Sequence, residues 1–199
     1  MPLEHSRSRR VAGVVLAAGA STRMGENKLF LRVGGESLLR RAVSLAAEAG
    51  LDPVIVVLGF ERERAERELE GLRCCPVFNP SYAAGQQTSF RAGIAAVPEE
   101  ANAAVVLLVD MPRVTEGMIA ALVGRWRETG APLVSSDYGG VQAPPTLYDR
   151  SLFPEIGAME GEGCGKQIVR RHRDEASVVS WPADSLADLD VPADIVHAP

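Results

Sequence analysis

The sequence predicts an α/β protein, one domain built on a mostly parallel sheet with helices packed against it. Two observations carry that prediction. Valine-rich apolar runs recur at Val11–Ala18, Pro53–Gly59 and Ala103–Asp110, as expected of strands buried on both faces. Segments of helical period separate them, an alternation that produces parallel pairing.

Taken in order, the first run, "VAGVVLAA", is followed by a loop reaching to about Gly35. "SLLRRAVSLAAEAG" then places Leu38, Leu39, Ala42, Leu45, Ala46 and Ala49 at helical spacing, with Gly50 as its stop. A second strand, "PVIVVLG", precedes the charged helix "ERERAERELEG", whose i,i+3 and i,i+4 pairs suit a solvated face. "CCPVFN" is a short third strand and "TSFRAGIAAV" a helix with Ser89 near its start. "AAVVLLVD" is the strongest strand signal and ends in Asp110. Thr115 is the N-cap for a helix that turns Met118, Ile119, Leu122, Val123 and Trp126 to one face, which makes Trp126 a core residue. "PLVSSDY" and "VQAPPTLYD" are extended, the second irregular at Pro144 and Pro145. A helix at "CGKQIVRRH", a strand "SVVSW" and a closing "DLDVPADIVH" complete the chain. Residues 1–10 read as a disordered tail and 11–199 as the domain.

Composition excludes several classes of function. With 199 residues, 46% of them hydrophobic, the chain can bury a full core. A net charge of −5 and a pI near 5.3 give no basic field for nucleic acid. Neither a membrane-spanning apolar run nor a signal-type block is present, so a soluble, cytoplasmic protein is expected. Cys74, Cys75 and Cys164 have no metal-ligand spacing, and Cys74 and Cys75 are expected to be buried as small hydrophobes. His5, His172 and His197 form no motif.

The stretch "LAAGASTRMGENK", Leu16–Lys28, carries the clearest chemistry. Of 21 cationic side chains only Lys28 and Lys166 are lysines, so a lysine in a glycine-bearing loop reads as a compact point charge. Gly13, Gly19 and Gly25 stand six apart, which is not the GxGxxG of a dinucleotide site, and no acid ends the second strand. The spacing from Gly19 to Gly25 and Lys28 also fails the GxxxxGK[ST] pattern. A loop remains in which Gly19 lets backbone amides approach an anion while Arg23 and Lys28 supply charge. A nucleoside triphosphate, a sugar phosphate or sulfate all satisfy that description. Asp110, at the end of a buried strand, suits Mg²⁺, which takes one or two carboxylates plus phosphate oxygens; a cap for the next turn is the plainer alternative. Asp188, Asp190 and Asp194 form a further acidic cluster, equally suited to capping.

The strings "VVLAAGASTRMGENKLFL", "NPSYAAGQQTSFRAGI", "VVLLVDMP" and "LDVPADI", in this order, resemble the MobA-like nucleotidyltransferases, and most closely the molybdenum cofactor cytidylyltransferases. The family's LA[AG]GxSxRMGxxK pattern is matched at every fixed position. The resemblance implies a Rossmann-like three-layer sandwich of the glycosyltransferase-A, or nucleotide-diphospho-sugar transferase, type. It implies nucleotide contacts from Leu16, Ala17, Ala18, Gly19 and Ser21, with Arg23 and Lys28 on the triphosphate. It places Ser89, with Gly93 and Ile94, on the base, and Mg²⁺ on Asp110 with Asp190 as preferred second ligand. "LAAG" in place of a doubled glycine implies CTP rather than GTP.

The reaction so implied joins CMP from CTP to the terminal phosphate of a molybdopterin-type cofactor, releasing pyrophosphate. A molybdenum hydroxylase is the expected recipient of the product. Departures from the family's pattern fall at Val109, at Val191 and on the acceptor side. There Ala143–Pro144–Pro145 stands for Gly-His-Pro, and Gly161 to Lys166 for Gly-Asp-x-Gly-Ala-Arg. Rival readings are transfer from another NTP or to a sugar or polyol phosphate, an NAD(P)H-dependent oxidoreductase, and a non-catalytic cofactor carrier.

Overall fold

The computed structural model describes residues 9–20, 27–161 and 163–186. Its main sheet is made of β1 (Arg10–Ala17), β4 (Val54–Leu58), β5 (Cys75–Phe78), β6 (Ala101–Leu108), β7 (Leu133–Tyr138), β8 (Val141–Asp149) and β9 (Ser177–Trp181). The strand order is β5-β4-β1-β6-β8-β7-β9. β8 runs antiparallel to both of its neighbours; every other pairing in the sheet is parallel. Helices cover it on both faces, α1 (Leu38–Glu48) and α4 (Glu116–Thr129) in one apolar cluster, α3 (Gln86–Ala95), α5 (Phe153–Ala158) and α6 (Cys164–Arg171) in the other. A short α2 (Arg62–Glu68) follows β4. Among the described residues no helix is long and apolar enough to cross a membrane.

The apolar runs became the central strands for the expected reason: every residue of β4 is buried, and β1 and β6 are nearly so. β1 starts at Arg10, and residues 1–8 lie outside the described residues. The loop expected to run to Gly35 instead contains a small hairpin, β2 (Arg32–Val33) and β3 (Glu36–Ser37). Gly34 and Gly35, with φ of 62° and 87°, make the two-residue turn that needs positive φ at both positions. Ser37 then caps α1, its hydroxyl accepting from Arg40 N at 3.3 Å. Thr115 caps α4 in the same way through Met118 N.

The cysteine expectation is corrected. Cys75 is exposed and Cys74 half-buried, because β5 is an edge strand with only one neighbour. Partial burial, together with the adjacent Cys75 thiol, pushes the Cys74 thiol up from its ordinary pKa. The irregularity at Pro144 and Pro145 is present: Ser135 pairs with Thr146 but Ser136 with Ala143, so the two prolines bulge from the ladder. Their carbonyls find side-chain donors, Tyr138 Oη to Pro144 O at 2.9 Å and Ser136 Oγ to Pro145 O at 2.7 Å.

Trp126 is a core residue, 1% exposed, and its indole N–H donates to Asp149 Oδ2 at 2.9 Å. The other Asp149 oxygen caps the turn that follows β8 by accepting from Ser151 N. Trp126→Phe strips the donor from a carboxylate, so a loss of about 1–3 kcal/mol is expected in urea unfolding. On the opposite face Glu155 joins α5 to the end of α6, accepting from His172 Nε2 at 2.7 Å and Arg171 Nη1 at 3.0 Å. The His172 bond, then the Arg171 bond, holds the Glu155 carboxyl below its ordinary value of 4.5. A depressed folded-state pKa stabilises the protein above that ordinary value, and the contribution fades as pH falls through the folded value. Glu155→Gln should therefore be less stable than the parent at pH 7, with the gap closing as pH falls below the ordinary carboxylate value in thermal unfolding scans.

Candidate functional site

The chain leaves β1 toward β4 on one side and returns to the other side of β1 only at β6. At such a reversal the loops beyond the strand ends diverge and leave a crevice. Both edges of this crevice carry charge. Past β1, Asn27 caps a single 3₁₀ turn, Lys28–Phe30, with its side chain accepting from Leu29 N at 3.3 Å. Leu29 and Phe30 are buried, and the Arg64 guanidinium lies 3.8 Å from the Phe30 ring centroid, so the turn is anchored beneath Lys28. Past β6, buried Val109 and Met111 flank Asp110 and fix its carboxylate at the strand end.

Lys28 Nζ pairs with Asp110 Oδ2 across the crevice, with the two side chains 23% and 18% exposed. The structure thus brings together two of the residues singled out in the sequence, which are 82 positions apart. Asn27 Nδ2, buried beside Lys28, has no partner among the described residues. A buried N–H donor next to an ammonium suits an anionic guest.

The other wall is built from the ends of β1, β4 and β5. Phe60 N donates to Ala18 O at 3.1 Å and Asn79 N to Leu58 O at 2.9 Å. Gly59 makes this approach possible: a Cβ there would lie 2.6 Å from Tyr82 Cβ and 2.7 Å from Ala18 O. Helix α3 starts on this wall and runs back along the sheet. At Gly93 it packs so closely that a Cβ would sit 3.0 Å from Val57 Cγ2 and nearer still to Val14 Cγ1. Ser89 lies one turn earlier on the same face, about 6 Å toward the strand ends, and so comes level with the end of β1. It is 4% exposed, and its hydroxyl accepts from Asn79 Nδ2 at 3.0 Å.

Leu16 and Ala17 close β1, and Ala18 and Gly19 open the loop above the crevice. Ser21, Arg23, Asp188, Asp190 and Asp194 lie outside the described residues. Among the described residues no group of three or more His, Cys, Asp or Glu side chains is placed to hold a metal ion. Asp110, a hard oxygen donor facing a crevice suited to phosphates, fits Mg²⁺ as a single protein carboxylate, because that ion draws its remaining ligands from phosphate and water. Three residues of the site were not singled out in the sequence. Asn27 and Asn79 carried no separate signal, although Asn79 opens the quoted "NPSYAAG", and Gly59 entered only as the absence of an acid.

A mostly parallel α/β sheet with a lysine and a carboxylate meeting at its switch point is an arrangement suited to binding a nucleotide. The chain belongs to the MobA-like NTP transferase domain family, whose match extends over residues 13–176. Among curated relatives it is 32% identical over 199 residues to the "Purine catabolism protein PucB" of Bacillus subtilis, covering 94% of each chain. It is 39% identical over 104 residues to a "Probable molybdenum cofactor guanylyltransferase" of Opitutus terrae, covering 52% of this chain and 50% of that one. To the "Nicotine blue oxidoreductase" of Paenarthrobacter nicotinovorans it is 30% identical over 175 residues, 82% of each. Among solved structures, Rv0371c of Mycobacterium tuberculosis superposes with a TM-score of 0.83 over 96% of this chain and 97% of that one, at 24% identity, a likeness of fold. The fold is of the nucleotide-diphospho-sugar transferase type.

The close approach at Gly59 yields a paired prediction. Gly59→Ala forces Tyr82 or Ala18 to move and should cost about 1–3 kcal/mol. Gly124→Ala, in α4 where a Cβ meets nothing within 4 Å, should instead gain about 0.5–1 kcal/mol. Denaturant midpoints of the two variants against the parent check both.

Proposed function

We propose that this protein is a Mg²⁺-dependent cytidylyltransferase of the cytoplasm, moving CMP from CTP to the terminal phosphate of a molybdopterin-type cofactor. The observation that carries the reading is the Lys28–Asp110 pair at the switch point of the sheet. Support for the base comes from "LAAG" at Leu16–Gly19, and support for the acceptor from the Opitutus relative's name.

An oxygen of the acceptor's terminal phosphate attacks the α-phosphorus of CTP, the bond to the β-phosphate oxygen breaks, and pyrophosphate leaves in line. Transfers of this kind ask the protein for position and charge rather than a nucleophile. Lys28, released from Asp110 by the triphosphate, opposes the charge that gathers on the pyrophosphate. Arg23 joins it, and backbone amides of Ala17–Gly19 hold the nucleotide. Asp110, with Asp190, would hold Mg²⁺, which when bound neutralises phosphate oxygens. Ser89 contacts the cytosine, and a molybdenum hydroxylase takes the product.

Incubation with molybdenum cofactor and each of CTP, GTP, ATP and UTP should release pyrophosphate with CTP. Release with GTP alone, or with none of the four, overturns the assignment. Lys28→Ala and Asp110→Ala should each lower kcat/KM by about a hundredfold or more, whereas a cofactor carrier would keep its cofactor affinity after the Asp110 change. The Paenarthrobacter relative's name favours an oxidoreductase as second reading; quenching or enhancement of NADPH fluorescence by the protein would support it, and no change is expected.

A further inference from the structure

Asn79 is 4% exposed, and every polar atom of its side chain is engaged. Its Oδ1 accepts from Ser81 N at 3.0 Å. A backbone N–H can only donate, so that bond fixes which end of the amide is oxygen and turns Nδ2 toward two neighbouring hydroxyls. Nδ2 donates to Thr88 Oγ1 at 2.8 Å and to Ser89 Oγ at 3.0 Å.

The two hydroxyls are left in different states. Thr88 passes its own proton to backbone, with Gly85 O at 2.8 Å and Ser81 O at 2.9 Å both in reach, and so is spent. Ser89 accepts from Asn79, and among the described residues its proton goes to no acceptor. We infer that Asn79 is a positioning residue for nucleobase recognition: by donating to Ser89 it occupies a lone pair of that hydroxyl and turns its proton outward, to a carbonyl or ring-nitrogen acceptor on the base. Cytosine offers O2 and N3 side by side. The inference rests on the reading of Ser89 as the base contact.

Asn79→Asp tests it with almost no change of shape. A carboxylate still accepts from Ser81 N, but its second oxygen has no hydrogen to give, so Ser89 donates to it and turns lone pairs to the base. Titration calorimetry with CTP, at pH 8.5 where the introduced carboxyl is ionised, should show binding weakened about tenfold or more in N79D, and similarly in S89A, since either change leaves a buried acceptor unpaired. The N79D/S89A double variant should bind no more weakly than the poorer single variant, because both remove one hydrogen bond. Thermal unfolding of each variant in parallel identifies any that fails to fold. Multiplying losses in the double variant, or N79D binding like the parent while S89A is weakened, overturn the role of Asn79 alone. S89A binding CTP like the parent overturns the base contact beneath it, and with it the inference.

Discussion

Strand β1 lies between β4, the next strand of its own sheet, and β6, which the chain reaches far later, and this placement decides where charge can be held. Loops leaving β1 and β6 part in opposite directions, so a lysine on one and a carboxylate on the other can meet only above the gap. The Lys28–Asp110 pair is too open to act as a buried ion pair, where loss of one partner costs several kcal/mol. It is also too covered to resemble a surface pair worth about 0–1 kcal/mol. Its position explains it better than its energy does: each charge holds the other in place above the gap between the two loops.

The opposite wall depends on β1 as well, but through packing rather than charge. Gly59 admits Ala18 and Tyr82 to near contact, and Gly93 lets α3 sink onto Val14 and Val57. Both absences of a side chain draw Ser89 and Asn79 to the same level as the loop after β1. One wall thus supplies a cation and a carboxylate, the other oriented hydrogen bonds.

The legible parts of the sequence were those in which burial leaves a compositional mark. β1, β4 and β6 are apolar on both faces and read as strands, and Thr115 announces its helix through cap chemistry. Strand order leaves no such mark. Cys75 sits in a run that reads like any other short strand, and only its place at the sheet edge exposes it. The antiparallel course of β8 is invisible for the same reason, whereas the hairpin at Gly34–Gly35 does carry a turn signal in its glycine pair. In the site, Lys28 and Asp110 were legible through residue type at strand ends. Asn79 was not, because its role is set by which hydroxyls the fold places against its amide.

The departures on the acceptor side acquire a physical meaning from the same sheet. β8 pairs antiparallel with β6, with Thr146 opposite Val106. Ala143, Pro144 and Pro145 therefore lie alongside the carboxyl end of β6, toward Asp110. Members of the family with an imidazole in this segment have a group there that can donate, accept and titrate. The bulge here offers two prolyl rings, which can do none of these, and their carbonyls are already taken by Ser136 and Tyr138. This segment thus contributes shape without a polar handle of its own. A molecule lying against these two prolines finds neither a donor nor a free acceptor on them, so any polar contact it makes there must come from other groups around the crevice.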